Sequence, residues 1–374
     1  MSIIGRSKKT RISSMQKIFS INLNLLIPII LIGIISCFAM YSTDAGTFGY
    51  HTQSHIIRLG AFLIVFFLVS LVRFSFWHKS STLIYFIVLI LLFGVEFFGV
   101  SSSGSKRWIN LFFINLQPSE LMKIALILFL SNYYHKLSPA DVNKIRFFLI
   151  PIVVIIIPVF LVISQPDLGT SVLIAATGLI MLWLAGIRAK YYVYSLIIFV
   201  TALPFVIAFL KPYQKLRILT FLNPDKDPTG AGYQIIQSKI AVGSGGFFGK
   251  GYLKGTQSYL DYLPEKHTDF IFTLYAEEFG FLGCILLLSL FLYLIMAITS
   301  IGNRAREAFA KLYCYGLATA LFVYITVNMS MVLGLLPIVG SPLPIMSYGG
   351  SAMLSVMFGL GIVMSCHIHK DEGF

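Results

Sequence analysis

Charge is what this sequence lacks most. Only 11% of its 374 residues are Asp, Glu, Lys or Arg, where a soluble domain carries about 25%. A chain so poor in charge cannot coat a water-facing surface, which excludes an ordinary soluble enzyme. Acids are scarcest, 15 against 28 Lys and Arg, so each of them needs a reason. Cysteine is nearly absent as well. Cys37, Cys284, Cys314 and Cys366 lie in or beside apolar runs with neither metal-ligand spacing nor a pairing framework, and they read as structural thiols. No internal repeat, low-complexity tract or second soluble domain is visible, so residues 1–374 read as one membrane domain.

Apolar sequence fills the chain instead, with a mean hydropathy of +0.86. Runs of about 20 apolar residues recur, each long enough to cross a hydrocarbon core roughly 30 Å thick. Helices are predicted near 20–42, 56–73, 82–100, 117–135, 147–164, 168–186, 191–210, 270–298, 309–333 and 343–366. The expectation is an all-α polytopic membrane protein with about ten transmembrane helices. The first run follows the basic residues Arg6, Lys8, Lys9, Arg11 and Lys17, yet it is too long for the apolar core of a signal peptide and lacks a small-x-small cleavage site. It reads as a retained helix.

Orientation follows from the short loops. With the N-terminus in the cytoplasm, inside segments take Arg73, Lys79, Lys136, Lys144, Arg146, Arg188, Lys190, Arg304, Arg306 and Lys370. Outside segments hold little beyond Arg58, Lys106 and Arg107. This bias places both termini in the cytoplasm. It also accounts for much of the net charge of +13 without nucleic acid as a partner, because the basic residues are dispersed.

One connection is not short. Residues 211–268 form a long extracytoplasmic loop between spans seven and eight, in which KPYQKLRILTFL and YQIIQSKIAVG suit helices lying in the membrane interface. The following GSGGFFGKG fails as a phosphate loop, since Ser244 and Gly251 stand where a Gly and a Ser or Thr are needed. A tight re-entrant or surface turn using glycine at positive φ is the plainer reading.

Five segments carry polar residues where apolar ones are expected. In LPEKHTDFIFTLYAEEFG, Asp269, Thr273 and Glu277 share one face if the helix is continuous, a stripe descending about 12 Å. Carboxylates inside a membrane face a cavity or a partner, or they are not retained. Glu277 and Glu278 are then either functional or clamped to a cation. Asp269, at the aqueous edge beside His267, suits a base acting on a substrate headgroup. QPSELMKIAL sets Glu120 and Lys123 at i,i+3, a substrate contact or a helix clamp. SGSKRWI places Lys106, Arg107 and Trp108 at the outer interface, where tryptophan anchors and Arg107 can grip a phosphate. Arg217 offers the same grip from the interfacial helix. QPDLGT puts Gln165, Asp167 and Thr170 in a tight outer hairpin, and SPLPIMSYGGS is a Pro/Gly-broken start to the last helix. His367 and His369, in the short tail, have no further ligands nearby to make a metal site.

Read together, SKRWI, QPSELMKIA, QPDLGTS, GAGYQIIQSKIAVGSGGFFGKG, LPEKHTDFIF, AEEFG and PLPIMSYGGSA resemble, in order, the signature blocks of the SEDS family (shape, elongation, division and sporulation). The resemblance spans about residues 95–366 and is nearest the elongation branch, because of GTQSYLDYLPEKHTDF and the preceding YQIIQSKIA. It implies a peptidoglycan glycosyltransferase that polymerises lipid II, an undecaprenyl-diphosphate-linked disaccharide pentapeptide, at the outer face of the bacterial cytoplasmic membrane. It also implies a class B penicillin-binding protein as partner, within the elongation machinery. The family's essential aspartate falls on Asp269, its acid–lysine pair on Glu120 and Lys123, its loop tryptophan on Trp108 and its QPDLGT aspartate on Asp167. Substrate contacts are expected from Lys106, Arg107, Trp108, Glu120, Lys123, Asp167, Arg217, His267 and Glu277. Lys and Arg, with or without a divalent cation such as Mg or Mn, would stabilise the departing diphosphate. The rival readings are a flippase for the same lipid, which charges spread through the midplane would favour, and a non-enzymatic scaffold, which leaves the acidic stripe unexplained.

Overall fold

A computed structural model describes residues 17, 19–102, 105–110, 115–138, 140–209, 212–227, 230–256 and 265–371. The basic N-terminal cluster and the stretch 257–264 lie outside the described residues.

All ten predicted spans are helices. They run α1 (Leu23–Thr43), α2 (Tyr50–Leu71), α3 (Phe74–Phe98), α4 (Pro118–His135), α5 (Ile145–Ser164), α6 (Leu168–Leu184) and α7 (Ala189–Phe209). After the long connection come α10 (Ile271–Arg304), α11 (Ala308–Val332) and α12 (Gly350–Ile368). Among the described residues, seven helices are long and apolar enough to cross a membrane by length and composition alone. α6 is a shorter apolar helix of 17 residues, and α4 is diluted by the buried polar residues Glu120, Lys123, Ser131 and Asn132. The polar content of α4 is the first sign that it faces other helices rather than lipid.

Burial locates the core. The apolar windows of α11 and α12 are 61% and 78% buried, whereas those of α3 and α5 are 28% buried. α4, α6 and α11 pack against one another, and α12 packs mainly on α2. Small residues permit this: a Cβ on Gly316 of α11 would lie 2.3 Å from Met181, and one on Gly361 of α12 would lie 2.8 Å from Val69. Close approach of small residues is how helices associate where lipid is as apolar as leucine.

The long connection contains the two expected helices, α8 (Pro212–Leu222) and α9 (Ala231–Ser244), joined by a 3₁₀ turn at Pro224–Lys226. Leu216, Leu219 and Leu222 leave an exposed apolar stripe on α8. α9 is fastened to the end of α11 by Ser238 Oγ, which donates to the Val332 carbonyl at 2.9 Å.

Three findings differ from the sequence reading. A small antiparallel sheet, β1 (Val100–Ser102), β2 (Ser105–Asn110) and β3 (Asn115–Leu116), holds SKRWIN in an otherwise helical protein. Strands this short carry no readable alternation. Arg58 lies in the third turn of α2, not in an outer loop. The last helix begins at Gly350 rather than near 343, because residues 334–349 form a separate ordered segment.

Candidate functional site

The site is built where the starts of α4, α6, α10 and α12 meet the ends of α1 and α11. Asp269 sits in a turn just before α10, half-buried. The predicted stripe of Asp269, Thr273 and Glu277 is therefore not one helical face: the helix starts at Ile271, and only Thr273 and Glu277 belong to it, both wholly buried.

Asn328, on α11 and fully buried, fixes that turn. Its Nδ2 donates to the Asp269 carbonyl at 2.9 Å and to the Ser341 carbonyl at 2.7 Å. One amide thus ties the Asp269 turn to the 334–349 segment. Gly340 brings that segment close, with φ +69 and the Asp269 Oδ2 only 3.5 Å from where a Cβ would stand. Positive φ is inexpensive for glycine alone. Sequence reasoning did not single out Asn328, since an asparagine late in a buried helix gives no spacing signal.

A second network lies on α4, α6 and β2. Asp167 caps α6, accepting from Thr170 N at 3.1 Å and from Thr170 Oγ1 at 2.8 Å. Gln117 Nε2 donates to its Oδ2 at 3.1 Å, and Arg107 Nη1 stands 3.7 Å from the same oxygen. Arg107 also donates to the Pro166 carbonyl. Gln117 N donates to Ser351 Oγ at 2.9 Å, which joins α4 to the first turn of α12. Below this, Lys123 Nζ pairs with Glu120 Oε1 at 2.8 Å and lies 3.9 Å from the centre of the Tyr324 ring. Both partners are buried. Glu120 with Lys123 and Asp167 with Arg107 thus form two ion pairs, drawn from three separate segments of the sequence.

The other expected residues divide. His267 Nδ1 lies 2.9 Å from Thr43 Oγ1 on α1, its ring stacks on His51 at 3.9 Å, and its carbonyl accepts from Tyr348 N at 2.9 Å. Lys106 is exposed, and Trp108 is half-buried, paired with Val100 in the sheet. Arg217 falls on α8, and its side chain lies outside the described residues.

Glu277 is enclosed. It was expected to contact substrate, but its Oε1 accepts from Lys250 Nζ at 2.6 Å, Thr256 N at 3.0 Å and Thr256 Oγ1 at 3.0 Å, and the residue has no exposed surface. It holds the glycine-rich segment. Gly280 breaks α10 with φ 63 and ψ −160, and the segment crosses at that break. Lys250 N donates to the Glu277 carbonyl and Gly251 N to the Glu278 carbonyl, both at 3.0 Å. Phe281 N returns a bond to the Gly246 carbonyl at 3.0 Å. A Cβ on Gly245, Gly249 or Gly280 would stand 2.1–2.2 Å from opposing backbone, so only glycine permits this contact. Glu278 accepts from Ser42 Oγ, adding α1 to the same knot. Both glutamates are thus held by partners distant in sequence, and GSGGFFGKG is a glycine-rich turn packed against α10.

Among the described residues no three His, Cys, Asp or Glu side chains gather as a metal-ligand set.

A polytopic helical bundle with hydrogen-bonded and ion-paired carboxylates gathered at one end of its helices defines a membrane-embedded protein with a polar site. Comparison sharpens the class. Residues 16–372 match the FtsW, RodA and SpoVE family of cell cycle proteins, and the chain belongs to that family. It is 46% identical over 289 residues to the Escherichia coli K12 peptidoglycan glycosyltransferase MrdB, covering 77% of each chain. It is 40% identical over 302 residues to the probable peptidoglycan glycosyltransferase FtsW of Trichlorobacter lovleyi, covering 79% of this chain and 77% of the other. Among solved structures, a chain of a peptidoglycan synthase complex that coordinates polymerization and crosslinking superposes with a TM-score of 0.81 at 26% identity, over 94% of this chain and 99% of that one. The rod shape determining protein RodA of Thermus thermophilus matches in fold, with a TM-score of 0.71 at 23% identity, over 94% and 98%.

Proposed function

We propose that this protein is a peptidoglycan glycosyltransferase of the cytoplasmic membrane, polymerising lipid II into glycan strands during cell elongation and shape maintenance. The observation that supports it most is the placement of Asp269. It is half-buried, and its backbone carbonyl is held by Asn328, whose amide also holds the Ser341 carbonyl. Glu120, Asp167, Glu277 and Glu278 are buried with close partners.

The chemistry joins the 4-hydroxyl of one disaccharide to the anomeric carbon of another, with loss of a lipid diphosphate. Asp269 accepts the hydroxyl proton as the new glycosidic bond forms. The C–O bond to the diphosphate breaks, and its electron pair leaves with the phosphate oxygen. Charge on the departing group is met by cations of the site, Arg107 and Lys123 among them. Positive-inside bias sets this face on the outside, with residues 211–268 there and both termini in the cytoplasm. A class B penicillin-binding protein, the partner that crosslinks the product, docks through membrane-embedded helix packing, and the complex survives moderately high salt in mild detergent.

The test is polymerisation of purified lipid II by the purified protein, with and without that partner. Glycan strands support the reading. Their absence under both conditions overturns it.

A further inference from the structure

A second polar cluster lies beside the Asp269 site, on the side of α2 that meets the start of α12. Its centre is Arg58, eight positions after Tyr50, the first residue of α2, and so about 12 Å down the helix. The segment around it is apolar enough to cross a membrane. Arginine at such a depth is costly, and it is kept where something compensates or where it serves a ligand. Among the described residues Arg58 makes no ion pair with a carboxylate. Its guanidinium carbon instead lies 4.5 Å from the centre of the Tyr348 ring.

Two turns nearer the start of α2, His51 meets Tyr348 edge-on at 5.0 Å and stacks on His267. Its Nδ1 is shielded from solvent with no hydrogen-bond partner, an orphan that buried polar atoms rarely remain. Residues 51, 54 and 58 fall on one side of α2. Ile57 and Ile64, 70% and 62% exposed, continue the helix surface toward lipid. The cluster thus stands at a lateral seam, where a headgroup can enter while its chain stays in the bilayer.

We propose that Arg58, seated on Tyr348 and joined by His51 Nδ1, binds the diphosphate of a polyprenyl-linked substrate at the α2–α12 seam. The proposal rests on the glycosyltransferase reading for its ligand. An aromatic seat leaves the guanidinium edge available for bidentate contact with phosphate oxygens. His51 Nδ1 supplies a second donor in the tautomer that protonates it. The site is coupled to the reacting centre through backbone: Tyr348 N donates to the His267 carbonyl at 2.9 Å, two residues before Asp269. An anion held by Arg58 over Tyr348 therefore sits beside a segment bonded to the turn that carries the base.

The experiment uses the full-length protein in nanodiscs of phosphatidylcholine. Undecaprenyl diphosphate and phosphatidylglycerol are titrated separately, with binding read by native mass spectrometry. Arg58→Gln is expected to weaken undecaprenyl diphosphate binding about 10- to 100-fold, the worth of a charge-assisted contact, while phosphatidylglycerol binding changes less than about 3-fold. Arg58→Lys is expected to fall between, since an ammonium lacks the two-pronged donor edge. Equal loss for both lipids would make Arg58 a general phospholipid anchor and overturn the inference, as would wild-type affinity in Arg58→Gln. Should Arg58→Gln fail to fold, Arg58→Lys decides: undiminished affinity overturns the site. Polymerisation of lipid II by the wild type is measured alongside. If the wild type polymerises while Arg58→Gln binds normally, only this inference falls; if the wild type makes no glycan, the functional reading falls.

Discussion

Replacing Asn328 by leucine should damage this protein in two measurable ways. The side chain is wholly buried and its single Nδ2 serves two carbonyls, of Asp269 and Ser341, at 2.9 and 2.7 Å. Leucine has similar bulk but no donor. Each carbonyl left without a partner costs about 1–3 kcal/mol, so the pair should cost about 2–6 kcal/mol and lower the melting temperature by several degrees. The second effect is local. Without the amide, the Asp269 turn is no longer tied to the Gly340–Ser341 segment, and a displacement of about 1 Å at a reacting group costs on the order of 10²-fold in rate. The loss should appear in kcat per folded molecule more than in KM, because Asn328 touches backbone rather than ligand. Asn328→Ser, which keeps one donor, should fall between. The assay pairs melting curves with initial rates of lipid II polymerisation. Wild-type melting and wild-type turnover in Asn328→Leu would refute the reasoning that this amide positions Asp269.

Other perturbations separate the clamps from the chemistry. Glu277→Gln should cost stability, about 2–4 kcal/mol, somewhat less than a fully buried pair because the Lys250 side chain is 27% exposed; turnover per folded molecule should stay within about 3-fold of wild type, and a large selective loss of rate would return Glu277 to the reacting centre. Orientation is open to labelling in a background with Cys37 and Cys284 replaced by alanine: an impermeant thiol reagent added to whole cells should modify Asp225→Cys and spare Arg304→Cys, and the reverse pattern would invert the topology and the site's assignment to the outer face.

How much of this was legible in the sequence depends on which physical signal each part carries. The ten helices were readable because long apolar runs admit few other solutions in a membrane, and the acid–lysine pair of α4 was readable because i,i+3 spacing places Glu120 and Lys123 on one face. The Asp269–Thr273–Glu277 stripe was misread for want of one boundary: spacing arguments assume a continuous helix, and α10 begins after Asp269. Glu277 and Glu278 looked functional because their partners, Lys250 and Ser42, are 27 and 236 residues away in sequence. Only the fold brings them together. Glycine told half of its story. GSGGFFGKG read as a turn, but not as one pressed backbone to backbone against a helix broken at Gly280. Asn328 and Arg58 gave no local signal, and each became visible through what it touches.

The central claim is that the Asp269 carboxylate takes the proton during glycan polymerisation. Single-turnover polymerisation of lipid II by wild type and Asp269→Asn tests it directly, since the amide keeps size and most hydrogen-bonding capacity while losing basicity. The rate should fall by about 10²–10⁴-fold, the range of general-base catalysis, with the melting curve and partner binding little changed. Near wild-type turnover in Asp269→Asn would contradict the claim and bring the flippase reading back to the front.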